Sequence, residues 1–181
     1  MTKIYITADT HWGHKNILNF NPDTRKYLDI DHMNSSMIKE WNNIVTPNDL
    51  VYHLGDVAFT NAEKATAIMN QLNGRKILIK GNHDDKLVQD AKFVACFEEI
   101  HSYLEIRHND ILVCMFHFPI MDWRNAGRGS VHLHGHCHSN PTGLEQYRIR
   151  DVGMDATGKV VSLLDDVVKD ALTGEIKAYH H

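Results

Sequence analysis

Aspartate, asparagine and histidine recur in this chain in short clusters, and each cluster follows an apolar run. Lys3–Ala8 leads into Asp9-Thr10-His11, and Leu50–Leu54 leads into Gly55-Asp56. Lys76–Lys80 leads into Gly81-Asn82-His83-Asp84, Ile111–Phe116 into His117-Phe118-Pro119, and the Val131 run into Gly135-His136-Cys137-His138. Carboxylate, imidazole and amide donors in one set suit borderline divalent cations such as zinc, manganese or iron. Asp9, His11, Asp56, Asn82, His117, His136 and His138 are enough donors for two ions with coordination positions left open. A pair of ions of that kind activates water near neutral pH and clamps an in-line displacement at phosphorus.

Such donors work only if the fold gathers them, and the apolar pattern says how it does. Short strands are expected at Lys3–Ala8, Leu50–Leu54 and Lys76–Lys80. Between them, Met33, Met37, Trp41 and Ile44 mark one face of a helix over Asp31–Val45. A second helix carries Ala65, Ile68, Met69 and Leu72 inward, opened by a Thr60…Glu63 capping box and stopped at Asn73-Gly74. Strand, helix, strand, helix, strand is the mark of a layered α/β fold. Later runs at His101–Arg107, Asp110–Phe116, Val131–Gly135 and Tyr147–Val152 read as strands, with a hairpin turn at Asn109-Asp110. A last helix is expected over Leu163–Leu172, capped by Ser162 and Asp165. An antiparallel tail on an α/β start predicts two packed sheets flanked by helices. In open α/β sheets ligands bind beyond the carboxyl ends of strands, so donors at successive strand exits are placed to converge. Glycine at the turns lets the backbone approach a bound group closely.

At 181 residues the chain is read as one domain over residues 1–181. Its net charge of −4 argues against avid, sequence-blind binding to nucleic acid. No apolar run approaches the roughly 20 residues that span a bilayer, so no membrane partner is expected. Cys96, Cys114 and Cys137 form no CxxC pair, and the chain starts on a strand pattern, so a reduced, cytoplasmic setting is expected. Histidine is the outlier at 14 residues, the His180–His181 pair being a tag remnant or a frayed tail.

Asp-x-His, Gly-Asp, Gly-Asn-His-Asp, a lone His and Gly-His-x-His, in that order, resemble the calcineurin-like metallophosphoesterases. The resemblance runs from Asp9 to His138, about 70% of the chain. It implies a four-layer αββα sandwich of two mixed sheets flanked by helices. It implies one ion held by Asp9, His11, Asp56 and His138, and another by Asp56, Asn82, His117 and His136, with Asp56 as the bridge. The metals implied are manganese, iron, zinc or nickel. His83 would be the general acid at the leaving group, with Asp84 orienting its ring. The chemistry implied is hydrolysis by a metal-bridging hydroxide attacking phosphorus directly.

Departures from the family's pattern narrow the branch. Protein phosphatases of this superfamily read Gly-Asp-x-x-Asp-Arg-Gly and Arg-Gly-Asn-His-Glu, where this chain has Gly55-Asp56-Val57-Ala58-Phe59 and Lys80-Gly81-Asn82-His83-Asp84. Without those phosphate-gripping arginines, a phosphodiesterase acting on a small or nucleotide-type substrate is expected. The alternatives are a phosphomonoesterase or nucleotide phosphatase, and a scaffold that kept the fold without catalysis. The match is closest to short, stand-alone members of bacteria and phages, whose first motif extends as in Asp9–Ile17.

Other residues are weighed more lightly. His14 either lines the pocket or caps the loop of the extended first motif. Arg124 and Arg128, on a segment expected to overhang the metals, either hold a substrate phosphate or are solvated. His32, His53, His101 and His108 are read as surface or core-edge residues, and His132 and His134 as structural or as supports behind the metal ligands. Cys137 is read as structural, since it points away from its flanking histidines if the strand continues.

Overall fold

The computed structural model describes residues 2–178, so the His180–His181 pair lies outside the described residues. Five strands form the first sheet: β1 (Ile4–Thr7), β2 (Leu50–His53), β3 (Arg75–Ile79), β4 (Glu99–His101) and, late in the chain, β9 (Ser162–Leu163). Their order is β4-β3-β2-β1-β9, parallel except for β9. The second sheet takes β5 (Tyr103–His108), β6 (Ile111–Phe116), β7 (Val131–His134) and β8 (Ile149–Asp151) in chain order. Helices α1 (Ile17–Phe20), α2 (Ile30–Ile44), α3 (Ala62–Met69), α4 (Ala91–Val94), α5 (Met154–Thr157) and α6 (Leu164–Ala171) complete the fold.

Strand alternation divides the core into layers. Ile6, Ala8, Leu54 and Ile79 of the first sheet meet Val113, Met115, Val131 and Leu133 of the second, and α6 closes this inter-sheet core with Leu164 and Val168. On the other face of the first sheet, Tyr5, Val51 and Leu78 pack under Met33, Met37 and Trp41 of α2 and Ala65 and Met69 of α3. The outer face of the second sheet is covered more thinly, by Trp123, Ala126 and Leu144 over Cys114 and Ile149.

The architecture agrees with the expected pair of mixed sheets flanked by helices, and several local expectations are corrected. His101–Arg107 is not one strand: the chain leaves β4 at His101 and enters β5 at Tyr103, crossing between sheets at Ser102. Only β5 and β6 are antiparallel in the second sheet, because β7 and β8 arrive by crossovers rather than hairpins. The Asn109-Asp110 turn forms as expected, with φ of 48° and 66°. Asn61, not Thr60, caps α3 by accepting the Lys64 N–H at 2.9 Å. Ser162 pairs with Ile6 in β9 instead of capping α6, whose N-cap is Leu163. His53 is not at an edge: it is buried on β2, with Nε2 2.9 Å from the Thr10 hydroxyl.

His132 and His134 sit on β7 facing the thinly covered outer side, and both are buried. Burial holds His132 neutral, lowering its pKa from 6.5 to about 4 even though the Cys114 and Phe118 carbonyls face its two ring nitrogens at 3.1 and 3.2 Å. Between those pH values the unfolded chain binds the extra proton, so stability falls as pH drops from 6.5 toward 4. The loss attributable to this ring is on the order of 3 kcal/mol at the acid end. Urea titrations at pH 7 and pH 4.5 should show a smaller acid loss for His132→Gln than for the parent chain. Equal losses in both would remove His132 as a cause.

Candidate metal centre

The parallel strands of both sheets deliver their carboxyl ends to one edge, and the exit loops are stitched together by backbone bonds. Asp9 N–H donates to the Gly55 carbonyl at 3.0 Å, Gly135 N–H to His117 at 3.0 Å, and Met154 N–H to Ala8 at 3.1 Å. The turns are sharp. Asp9, His11, Asp56, His136 and His138 all have left-handed backbones, with φ of 54°, 48°, 54°, 71° and 48°. Such conformations cost roughly 1–3 kcal/mol per non-glycine residue and concentrate at functional sites. Gly135 is required where it stands, because a Cβ there would lie 2.5 Å from Asp9 Oδ2. At Gly81 a Cβ would run into Asp56 Oδ1.

Two donor clusters result. Asp9, His11 and His138 offer ligand atoms within 4.8 Å of one another, and so do Asp56, His117 and His136. Asp56 stands between them, with Oδ2 3.8 Å from His11 Nε2 and Oδ1 3.6 Å from His117 Nε2. The first cluster is largely buried, while the second opens to solvent through Asn82 and His136.

A lone pair in the second cluster and an orphaned carboxylate oxygen in the first fit a cation. His138 donates Nδ1–H to Asp155 Oδ2 at 2.7 Å, which turns its Nε2 toward His11 Nε2 at 3.2 Å. His117 donates Nδ1–H to the Leu54 carbonyl at 2.7 Å, so its Nε2 lone pair faces Asn82 Oδ1 at 3.0 Å. The His117 and Asn82 acceptors then face each other and repel unless a cation stands between them. Asp9 Oδ1 is buried with no hydrogen-bond partner, and burial raises its pKa well above the carboxylate norm. Burial lowers His11 to about 2, so its imidazole stays neutral and able to ligate. These donors fit two divalent ions of borderline softness.

The remaining predicted residues divide. His83 stands at the mouth, its side chain 43% exposed and its Nε2 3.9 Å from Asp56 Oδ2. His14 packs edge-on against His11 with centroids 5.5 Å apart, so it lines the pocket. Asp84 does not orient the His83 ring. Its buried carboxylate accepts three backbone N–H groups, from Asp56 and Val57 at 2.9 Å each and from Gly81 at 2.8 Å. Burial nonetheless pushes the Asp84 carboxyl up to about 6. Arg124 is held by Glu105 at 2.7 Å, and Arg128 lines a surface hollow with Trp123 and Lys177. Their segment does not overhang the ligands, because Trp123 anchors it on His132, 5.5 Å away on the outer face of the second sheet. Cys137 lies in a turn rather than a continuing strand.

Two residues that the motifs did not flag support the site. Arg25 is buried and donates to Asp155 at 2.7 Å, to the Asp9 carbonyl at 2.5 Å and to the Thr10 carbonyl at 3.2 Å. Asp155 would be raised by burial, but hydrogen bonds from His138, Arg25 and Thr24 hold it well below the usual range. Extending the strand-exit rule to β8, which runs into Gly153-Met154-Asp155, would have found this carboxylate. Nothing in the sequence marks Arg25. Outer partners of metal-bound histidines typically set metal affinity by 10–100-fold. Asp155→Asn should therefore weaken binding at the Asp9–His11–His138 cluster by about that factor, and chelator competition would measure it. An unchanged affinity at both positions would remove Asp155 as the residue that sets His138.

A fold of two mixed sheets with paired Asp/His donor clusters at converging strand ends defines a class of protein built to hold metal ions. The chain belongs to the calcineurin-like phosphoesterase family, whose model matches residues 2–176. An uncharacterized protein of Methanocaldococcus jannaschii is 34% identical over 149 residues, covering 81% of this chain and 74% of that protein. The gene 66 protein of Mycobacterium phage L5 is 30% identical over 195 residues, covering 90% of this chain and 91% of its own length. Among solved structures, a protein of unknown function from Aquifex aeolicus superposes with a TM-score of 0.72 at 25% identity, over 93% of this chain and 99% of that one. Among the described residues, no helix is long and apolar enough to cross a membrane.

Proposed function

We propose that this protein hydrolyses phosphodiesters with two divalent ions, one held by Asp9, His11, Asp56 and His138 and the other by Asp56, Asn82, His117 and His136. The observation that carries the reading is Asp56, whose two oxygens face His11 and His117 of different clusters at 3.8 and 3.6 Å. Ions bound there supply activated water near neutral pH and neutralise charge developing at phosphorus. The chain's own residues do the rest. The buried cluster excludes solvent on one side, and the open side at Asn82 and His136 admits the ester. His83 holds a proton at Nε2, within reach of a leaving oxygen, and releases it as the ester bond breaks.

Preference for a diester is supported by what surrounds the clusters. Among the described residues, the one guanidinium hydrogen-bonded to a ligand residue is Arg25, and it is buried on Asp155 and backbone carbonyls. A dianionic monoester gains most from guanidinium groups that grip its oxygens, so a metal centre without a free one favours the singly charged diester.

Turnover of bis-p-nitrophenyl phosphate and p-nitrophenyl phosphate with manganese, zinc, nickel or iron(II) tests this preference. Faster diester turnover is expected, and the reverse order would make the protein a monoesterase. No turnover of either ester with any of the metals would return it to a scaffold. His83→Gln should lower turnover of an alkyl diester by about 10²–10⁴-fold, with metal content unchanged. The loss should be much smaller with a nitrophenolate leaving group, which departs without a proton. Equal losses on both esters would remove His83 as the acid.

A further inference from the structure

The most exposed Phe, Tyr or Trp side chains of the described residues, Phe20 at 68% and Phe59 at 50%, both adjoin the ring of His14, which lines the metal centre. Each packs on His14: Phe59 with centroids 4.3 Å apart and Phe20 at 5.9 Å. Phe59 also meets the His83 ring at 5.2 Å. Exposed aromatics grouped around a reactive centre point to a ligand that covers them, since apolar surface left in water is unfavourable. Phe59 is also held firmly in place. Its N–H donates to the Trp12 carbonyl at 2.9 Å, and Ala58 bridges to Trp12 beside it.

We infer that Phe59 and Phe20, with His14 between them, form a stacking platform for a nucleobase on the leaving-group side of the substrate. The inference rests on the phosphodiesterase reading and names its substrate class. The side follows from His83: the ring that protonates the leaving oxygen touches Phe59, so the group carrying that oxygen lies over the phenylalanines. The chemistry of the next cleft favours a nucleotide over another planar ring. Beyond Gly13 and Thr60, neighbours of His14 and Phe59, lies a cleft of about 350 Å³ lined by Lys15, Lys64, Asn34, Asp31 and the apolar Ile30 and Ile68. Two ammonium groups there suit a further phosphate, with Asp31 as the one opposing charge.

Phe59→Ala and Phe20→Ala remove surface rather than core, so both variants should fold. The test uses thymidylyl-thymidine, two analogues in which one or the other base is absent, and manganese-loaded protein. Loss of the leaving-side base should lower kcat/KM by about 5- to 150-fold, the range expected for one base–aromatic stack. Phe59→Ala should impose a similar loss on the full dinucleotide and a much smaller one on the analogue lacking that base. Equal rates on all three substrates, or the same Phe59→Ala loss on each, would overturn the platform. Binding provides a second readout that needs no turnover. By calorimetry, thymidine monophosphate should bind more tightly than deoxyribose phosphate to the parent chain, and this difference should vanish in Phe59→Ala. Base-dependent binding without hydrolysis of any diester would keep the platform and reject the phosphodiesterase reading. Diester turnover with no base dependence would do the opposite.

Discussion

Asp56→Asn is expected to lower metal content at both positions together and to cut phosphoester turnover by about 10³-fold or more. The magnitude follows because charge stabilisation by such ions is worth several kcal/mol, and each 1.4 kcal/mol is about tenfold. Asparagine keeps the side-chain size, and its carbonyl oxygen can still accept the His83 N–H that Asp56 Oδ1 accepts at 3.0 Å. The change therefore removes negative charge between two donor clusters and little else. Metal analysis of the purified variant reads this directly. If one ion is retained at full occupancy, Asp56 serves a single position. If both are retained, it is not a ligand.

Asp84→Ala should be the most destabilising single change at the site. Its carboxylate gathers the N–H groups of Asp56, Val57 and Gly81, which belong to two different strand-exit loops. Truncation leaves three buried donors unpartnered, at about 1–3 kcal/mol each. Even the lower end is a large share of the 5–15 kcal/mol by which domains are typically stable. Asp84→Asn keeps one acceptor oxygen and should lose less. Denaturant titration should rank parent, Asn variant and Ala variant in that order. An Ala variant within about 0.5 kcal/mol of the parent, the range of ordinary surface changes, would show that these N–H groups find other partners.

The convergence of the candidate donors was legible because each follows a strand, and strand polarity alone sends parallel strands to a common edge. Helix α2 was legible for a similarly local reason: Met33, Met37 and Trp41 repeat at helical spacing and are all buried. The capping of α3 was misplaced by one residue, since Thr60 and Asn61 are both competent caps and only the entry angle of the chain selects between them. The break at Ser102 was invisible for another reason. β4 and β5 are each strand-like, and which sheet a strand joins depends on partners far away in sequence.

The same distinction runs through the site. Residue type and order along the chain determined the donor inventory, the sharp turns beside the glycines and the family to which they belong. Tertiary structure decided the hydrogen bonds that set each donor's role. Asp84 turned from its sequence neighbour His83 to three backbone groups, because a buried carboxylate goes where N–H groups converge. Arg25 and Asp155, separated by 130 positions, became a buried pair holding His138 and the Asp9 loop. Spacing records which side chains share a strand or a turn. It carries no record of which distant loops meet, because that is fixed by how two sheets pack.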